Sequence, residues 1–336
     1  MPDLLTRLLS ERDWLLLDGA TGTNLFAAGL LPGEAPEFWN VEETEKIRAL
    51  HRGFIGAGCD LILTNSFGGS RYRLKLHKAE DRVRELAIAA ASIARQCADA
   101  AGRPVVVAGS VGPTGEILEP VGALSHADAV AAFEEQIAGL MEGGADLIWA
   151  ETISSVEELR AVAEAAGKLG APYCATLSFD TAGRTMMGVT SEGFAELVRS
   201  LPVPPIAFGA NCGTGAPDLL RTVLGITAAA PQATVIAKAN AGIPKYVDGH
   251  IHYDGTPELM AEYACLARDA GAWLIGGCCG TTADHLVAMR AALENRPRGP
   301  RPGLDAIRER IGEFTSADDG TGEAAQRPPR RSRRRA

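Results

Sequence analysis

Short runs of aliphatic and β-branched residues alternate along the chain with longer, alanine-rich stretches whose apolar positions recur at helical spacing. We predict strands at the apolar runs, which span residues 14–18, 61–65, 105–110, 147–151, 173–178, 206–211, 234–240 and 273–277. Several of the stretches that follow begin with Ser, Thr or Asp, the residues preferred at helix N-caps. Eight strand–helix units with nearly continuous apolar strands predict an α/β fold, a single (β/α)8 barrel of the TIM type. A doubly wound open sheet is the alternative.

Three similar hexapeptides, AGCDLI, GGADLI and AGAWLI, join predicted helices to predicted strands. Each carries a glycine, Gly58, Gly144 or Gly271, at the point where the helix should end. Glycine is favoured there because it adopts the left-handed backbone conformation that terminates many helices. The hexapeptides therefore predict a helix-to-strand turn that is repeated around the barrel.

The strand–helix pattern stops near Phe314, and the residues beyond it are polar and then rich in proline and arginine. Such a segment buries little apolar surface, so we predict a barrel at residues 1–313 and a disordered Arg-rich tail at 314–336. The formal net charge is -9 although six of the last ten residues are arginines, so the barrel itself is acidic. An acidic barrel argues against a nucleic-acid partner.

The chain has no apolar run of roughly 18 residues, the length that a membrane-spanning helix needs. Its N-terminus contains acidic residues and lacks the long apolar core of a signal peptide. We therefore expect a cytoplasmic protein without a membrane partner. In a reducing compartment, the odd number of cysteines, seven, indicates thiols or metal ligands rather than a disulfide framework.

Three cysteines follow predicted strands directly. Cys212 follows the sixth strand, and Cys278 and Cys279 follow the eighth within the sequence Gly-Gly-Cys-Cys-Gly. The carboxyl ends of barrel strands face one mouth, so these three thiols can meet there. Three thiolates predict a zinc site with one open position, as in catalytic zinc centres. Packing of three small apolar side chains and a vicinal disulfide are the alternatives.

An open position on a three-thiolate zinc site suits a substrate thiol. A free thiol has a pKa of about 8.5 and is mostly protonated at neutral pH, whereas a thiol that coordinates zinc is deprotonated. Three protein thiolates and one substrate thiolate leave a net negative charge, which keeps the substrate sulfur nucleophilic. The site therefore predicts alkyl transfer to sulfur rather than hydrolysis by a metal-bound water.

Polar residues at other strand ends can bind the remainder of an amino-acid thiol. Asp18 and Glu151 can bind an α-ammonium group, and the glycine-rich turn that begins at Gly19 offers backbone N–H groups to a carboxylate. Thr64 and Ser110 stand at the ends of the second and third strands and complete the predicted substrate-binding set. Lys238 in the seventh strand raises a Schiff-base enzyme as a competing interpretation.

Six motifs together resemble the homocysteine S-methyltransferase family. They are DGATGT at 18–23, LTNSF at 63–67, GSVGP at 109–113, ET at 151–152, GANC at 209–212 and GGCCG at 276–280. This family includes betaine–homocysteine methyltransferases and the homocysteine-binding module of cobalamin-dependent methionine synthase, and the resemblance covers residues 14–293.

The resemblance implies a role for each part of the predicted site. Zinc would be held by the three cysteines, with Asn240 as a candidate fourth ligand before substrate binds. The ammonium group of homocysteine would lie at Glu151 and Asp18, and its carboxylate near the backbone of Asp18 and Gly19. The implied activity is methyl transfer to the zinc-bound thiolate of homocysteine, which forms methionine.

Members of this family use different methyl donors, so the resemblance alone does not identify the donor. Similarity to bacterial betaine–homocysteine methyltransferases favours betaine, a cation that aromatic faces can hold. The animal enzymes carry an aromatic residue just after the position of Phe67, where this chain has Gly68-Gly69. A cage here would need other aromatic residues, namely Phe26, Trp39, Phe67, Tyr246 and Tyr253. The alternatives are the homocysteine-activating subunit of a split cobalamin-dependent methionine synthase, with a separate methylcorrinoid protein as donor, and a zinc protein without catalytic activity.

Overall fold

The structure, a computed structural model of the chain, describes residues 3–243, 245–247 and 250–318. Its strands are β1 (Leu15–Leu16), β2 (Leu61–Leu63), β3 (Val106–Val111), β4 (Leu147–Ile153), β5 (Tyr173–Leu177), β6 (Ala207–Cys212), β7 (Val235–Ala239), β8 (Lys245–Val247), β9 (His250–His252) and β10 (Ala272–Gly277). Eight of them form one parallel sheet of order β1-β10-β7-β6-β5-β4-β3-β2, and β8 and β9 form a separate antiparallel hairpin.

Helices follow the strands of the parallel sheet and cover its outer face. They are α1 (Leu4–Glu11), α2 (Thr21–Ala27), α3 (Trp39–Glu42), α4 (Thr44–Gly56), α5 (Arg71–Leu74), α6 (Val83–Asp99), α7 (His126–Glu142), α8 (Val156–Leu169), α9 (Ser191–Ser200), α10 (Ala216–Ala229), α11 (Pro257–Asp269), α12 (Ala283–Asn295) and α13 (Leu304–Ile311). The predicted (β/α)8 barrel is therefore confirmed, and the alternative of an open doubly wound sheet is wrong. Among the described residues, no helix combines the length and the apolar character that a membrane crossing requires.

The sheet closes where β1 meets β2. The two strands are joined there by a parallel bridge between Leu17 and Leu61. Just before this bridge, the Asp60 N–H donates to the Leu16 carbonyl (2.7 Å), and the Leu16 N–H donates to Asp60 Oδ2 (3.0 Å). The buried Asp60 carboxylate also accepts a hydrogen bond from Arg290 (3.0 Å). The Asp60 side chain thus adds a hydrogen bond between β1 and β2, where the strands are too short to form a longer ladder of backbone hydrogen bonds.

The apolar side chains of the strands form two layers, one on each face of the sheet, because successive side chains point to opposite faces. Leu15, Leu17 and Trp149 belong to a buried cluster that also includes Leu5 and Leu8 of α1. The intervening residues, such as Leu16, pack in a larger cluster with the surrounding helices. The first cluster fills the barrel interior, and α1 covers it at the amino ends of the strands.

The three predicted helix-to-strand turns are confirmed. Gly58, Gly144 and Gly271 have φ angles of +98°, +99° and +103°, in the left-handed region that favours glycine. The alanine-rich stretch at residues 71–100 predicts one continuous helix, and this prediction is wrong, because Lys78 adopts φ +56° between α5 and α6. The Ala79 N–H then donates to the Leu74 carbonyl (3.1 Å) and closes the turn.

Beyond α13 the chain runs back onto α10. The Phe314 ring lies 4.7 Å from the Arg221 guanidinium, and the Thr315 N–H donates to Asp218 Oδ2 (2.9 Å). Thr315 Oγ1 lies 3.2 Å from Thr214 Oγ1 in the loop between β6 and α10. The rest of the predicted Arg-rich tail, residues 319–336, lies outside the described residues.

The close approach of β6 to β7 predicts the effect of a methyl group at Gly209. A Cβ atom there would lie 2.0 Å from the Ile236 carbonyl oxygen, so we expect Gly209→Ala to lower the free energy of unfolding by about 3 kcal/mol. Gly53 is the matched control, because it lies within α4 and a Cβ atom there meets nothing within 4 Å. Gly53→Ala should raise stability by about 1 kcal/mol. Urea denaturation of both variants checks this, and equal stability of Gly209→Ala and wild type would contradict the packing.

Candidate active site

The carboxyl ends of the parallel strands open into one cavity of about 560 Å³. Most of the residues that the sequence predicts for the site line this cavity, namely Gly19, Thr64, Ser110, Glu151, Cys212, Cys278 and Cys279. Asp18 and Asn240 are buried and do not line it. The barrel therefore brings residues from six strand ends to one place.

Three cysteines form a cluster in the wall of the cavity. The Sγ atoms of Cys212, Cys278 and Cys279 all lie within 4.8 Å of one another. The Cys-Cys turn is held against the end of β7, because the Cys278 N–H donates to the Ala239 carbonyl (2.6 Å) and the Ala241 N–H donates to the Cys279 carbonyl (2.9 Å). All seven cysteines of the chain are free thiols in this structure, so no vicinal disulfide is formed.

The electrostatics of the cluster fit a bound cation. Hydrogen bonds from Cys212 and Cys278 lower the pKa of Cys279 to about 3, whereas the contact with Cys278 raises the pKa of Cys212. One thiolate among three crowded sulfurs thus opposes the ionisation of the others. Three thiolates at this spacing need a compensating positive charge, which a divalent metal ion would supply.

Asn240 follows β7 directly and is a further candidate ligand. Its Nδ2 donates to the carbonyl of Gly213 (2.8 Å), the residue after Cys212. Its Oδ1 is buried and has no hydrogen-bond partner among the residues that the structure describes. Buried polar atoms are normally paired, so an unpaired oxygen on a residue that contacts the backbone beside Cys212 fits a metal ligand.

Asn211 was not predicted for the site, although it stands in one of the quoted motifs. Its Oδ1 accepts from the Thr152 N–H (2.9 Å), and its Nδ2 donates to Thr152 Oγ1 (2.8 Å) and lies 3.8 Å from Cys278 Sγ. Thr152 and Cys212 both have left-handed φ angles, +61° and +60°, which are unfavourable for such side chains. The two-point contact from Asn211 holds the strained Thr152 backbone beside the cluster.

Glu151 enters the cavity through an irregularity in β4. The register between β4 and β5 shifts between Ala150 and Ile153, so the strand carries an extra residue there. Glu151 Oε1 accepts a hydrogen bond from Ser110 Oγ (2.5 Å), and the Ser110 N–H donates to Thr64 Oγ1 (2.9 Å). Burial raises the pKa of Glu151 from its usual value of 4.5 to about 7, and the nearby Lys238 ammonium opposes this shift. An ammonium group bound in the cavity would favour the carboxylate further.

Asp18 contacts a residue that the sequence suggested only for a Schiff base. Asp18 Oδ1 lies 2.7 Å from Lys238 Nζ, and Asp18 Oδ2 accepts from the Leu63 N–H (2.7 Å). Both side chains of the ion pair are almost fully buried, and Lys238 rather than Asp18 lines the cavity. Glu151 is thus the carboxylate that faces the cavity at this end. A lysine within an otherwise apolar strand was the sequence signal for the pair.

The aromatic residues proposed for a donor cage divide into two groups. Phe26, Phe67 and Tyr253 line the cavity. Trp39 is buried with Lys46 Nζ 4.2 Å from its ring centroid, and it does not line the cavity. The Tyr246 side chain lies outside the described part of the chain.

The fold and the site together define a barrel enzyme with a three-cysteine centre at the carboxyl ends of its strands. The family model for homocysteine S-methyltransferase matches residues 15–293, and the chain belongs to this family. The resemblance seen in the sequence motifs is therefore confirmed.

Two relatives place the chain within the family. It is 32% identical over 310 residues to methionine synthase of Mycobacterium tuberculosis, an alignment that covers 88% of this chain and 26% of that protein. The chain thus spans about a quarter of the length of that relative. The homocysteine methyltransferase MmuM of Escherichia coli, solved in metallated and oxidized forms, superposes with a TM-score of 0.71 at 26% identity and covers 86% of this chain and 99% of MmuM.

The buried ion pair predicts the effect of removing its cation. Lys238→Met leaves the Asp18 carboxylate buried without its charged partner, so we expect the free energy of unfolding to fall by about 3 kcal/mol. The double variant Asp18→Asn with Lys238→Met removes both charges and should regain most of this loss. Urea denaturation of the two variants checks the coupling. If the double variant is no more stable than Lys238→Met alone, the unpaired Asp18 carboxylate is not the cause of the lost stability.

Proposed function

We propose that the protein is a zinc-dependent, cytoplasmic methyltransferase that moves a methyl group from betaine to the sulfur of homocysteine and forms methionine. The observation that carries the proposal is the cluster of three thiols within 4.8 Å, in the wall of a cavity that Glu151 also lines. A thiol-rich metal centre beside a carboxylate fits a substrate with both a thiol and an ammonium group.

The ligand set supports zinc as the metal. Three thiolates and the Asn240 carbonyl oxygen would supply four ligands, and the oxygen is the one that a stronger ligand would displace. The metallated form of MmuM is a structure of a relative with a similar fold that binds a metal. Bound zinc would lower the pKa of the homocysteine thiol, so that the sulfur is a thiolate at neutral pH.

The chain's own residues would then orient the substrate. The Glu151 carboxylate, held by Ser110, binds the α-ammonium group of homocysteine. The Gly19 N–H donates to no described residue and is available to the α-carboxylate. Lys238 neutralises Asp18 next to these groups, so the cavity does not carry two unpaired carboxylates at the same end.

Methyl transfer is a displacement at carbon. The sulfur electron pair forms a bond to one methyl carbon of betaine, and the carbon–nitrogen bond breaks with its electron pair left on nitrogen. The products are methionine and dimethylglycine, and the thiol proton is released to solvent when homocysteine binds. The rings of Phe26, Phe67 and Tyr253 give the cavity apolar surface for the cationic donor.

A second candidate function is the homocysteine-activating part of a split, corrinoid-dependent methionine synthase. The match to a methionine synthase that is about four times longer favours it, because such a protein has further regions that this chain does not match. The two candidates differ in whether the purified chain acts without a partner protein.

The proposal predicts methionine formation by the purified, zinc-loaded chain from homocysteine and betaine alone. Cys278→Ala should remove stoichiometric zinc and reduce turnover below detection, because it deletes one of the three thiols. Cys97→Ala is the matched control, since this cysteine lies in α6 outside the cavity. Mass spectrometry of methionine and metal analysis give the two readouts. Full zinc and turnover in Cys278→Ala would remove the metal assignment, and product only with an added methylcorrinoid protein would favour the second candidate.

The role assigned to Glu151 predicts a separate effect on substrate binding. Glu151→Gln removes a charged hydrogen bond to the ammonium group, so the KM for homocysteine should rise about tenfold to hundredfold while zinc content is unchanged. Glu157→Gln, an exposed substitution on α8, is the control and should leave KM unaltered. An unchanged KM and kcat in Glu151→Gln would exclude this carboxylate from the homocysteine site.

A further inference from the structure

Three charged residues line the cavity and have no part in binding homocysteine as proposed above. They are Glu34, whose carboxylate accepts from the Leu31 N–H (3.1 Å), Glu37 and Arg73. Glu37 precedes α3 and is 4% exposed. Its Oε1 accepts a hydrogen bond from the Gly68 N–H (2.6 Å), at the glycine pair that follows Phe67. Burial raises the pKa of Glu37, and the positive charge of Arg73 opposes the shift. A carboxylate this buried is costly unless a cation approaches it.

Arg73, in α5, is the third of these residues. Its side chain is exposed and runs along Gly115, where a Cβ atom would lie 3.2 Å from the guanidinium. Within the described part of the chain, the guanidinium forms no ion pair and no hydrogen bond, and its charge acts on the Glu37 carboxyl only through space. Arg71 of the same helix is paired with Glu135 (2.9 Å) and does not line the cavity.

An acid and a base that share a cavity without pairing complement a ligand that carries both charges. The buried acid is Glu37, next to the backbone of Phe67, whose ring lines the same cavity. The exposed base is Arg73, toward solvent. A ligand that satisfies both therefore places its cation deep and its carboxylate toward the opening. In this orientation the methyl groups, which the cationic centre carries, lie inside the cavity that the three thiols also line rather than in solvent.

We propose that Glu37 and Arg73 bind the two ends of a zwitterionic methyl donor, with an onium centre at Glu37 and Phe67 and a carboxylate at Arg73. This inference rests on the proposed function and narrows the donor to an onium carboxylate, of which glycine betaine is the probe used below. The two residues determine donor specificity. A methylcorrinoid cofactor has no charges in this arrangement and gives Glu37 and Arg73 no role.

Calorimetric titration of the zinc-loaded, homocysteine-bound protein with glycine betaine and with choline tests the proposal. Choline has the same trimethylammonium group and lacks the carboxylate. Glu37→Gln should raise the Kd of both ligands about tenfold or more, because it removes the negative charge near the onium centre. Arg73→Met should raise the Kd of glycine betaine to a similar extent and leave that of choline unchanged. Arg71→Met is the matched control and should change neither.

The outcomes separate this inference from the function on which it rests. Unchanged betaine affinity in both Glu37→Gln and Arg73→Met would overturn it, and so would equal losses for betaine and choline in Arg73→Met. If Glu37→Gln does not fold, the comparison of glycine betaine with choline in Arg73→Met still tests the proposal, because Arg73 is exposed and its substitution should not prevent folding. A wild-type protein that binds homocysteine but not betaine also overturns the inference and leaves the acceptor function intact. Failure to bind homocysteine would overturn the proposed function itself.

Discussion

The buried contact between Asp18 and Lys238 joins three strands at the mouth of the barrel, and the geometry of the site depends on it. Asp18 follows β1, Lys238 belongs to β7, and the Leu63 N–H in β2 binds the second carboxylate oxygen. β10 lies between β1 and β7, so the strand that leads to Cys278 and Cys279 is enclosed by the paired charges. The same contact fixes the strand end before Gly19. A change in this ion pair would therefore reach the metal ligands and the homocysteine end of the cavity together.

Four non-glycine residues of the described chain have left-handed φ angles, and two of them belong to the site. Thr152 and Cys212 adopt left-handed conformations at the ends of β4 and β6, and Asn211 links them through two hydrogen bonds to Thr152. Such conformations persist only where the surroundings hold them. Here they turn Glu151 and a cysteine sulfur toward the same cavity, which regular strands ending at these positions would not do.

The fold could be predicted because the apolar strands and the Gly-containing turns repeat, and because parallel strands place their carboxyl ends on one face. The grouping of Cys212 with Cys278 followed from this rule alone. The partner of Asp18 could not be predicted, since it depends on the register of β7 against β10. Nor could Glu37, which reaches the cavity from an irregular segment with no periodic pattern. The break at Lys78 was missed for a different reason, because lysine has no preference that marks a left-handed residue.

The return of the chain onto α10 links two distant parts of the sequence mechanically. Thr315 is hydrogen-bonded to Asp218 and lies within 3.2 Å of the Thr214 hydroxyl, two residues beyond Cys212. The Arg221 guanidinium rests on the Phe314 ring one turn further along α10. The loop that carries a metal ligand is therefore clamped from outside by residues about a hundred positions later. Removal of residues 314–318 would therefore leave the loop after Cys212 without these contacts and expose the adjoining face of α10.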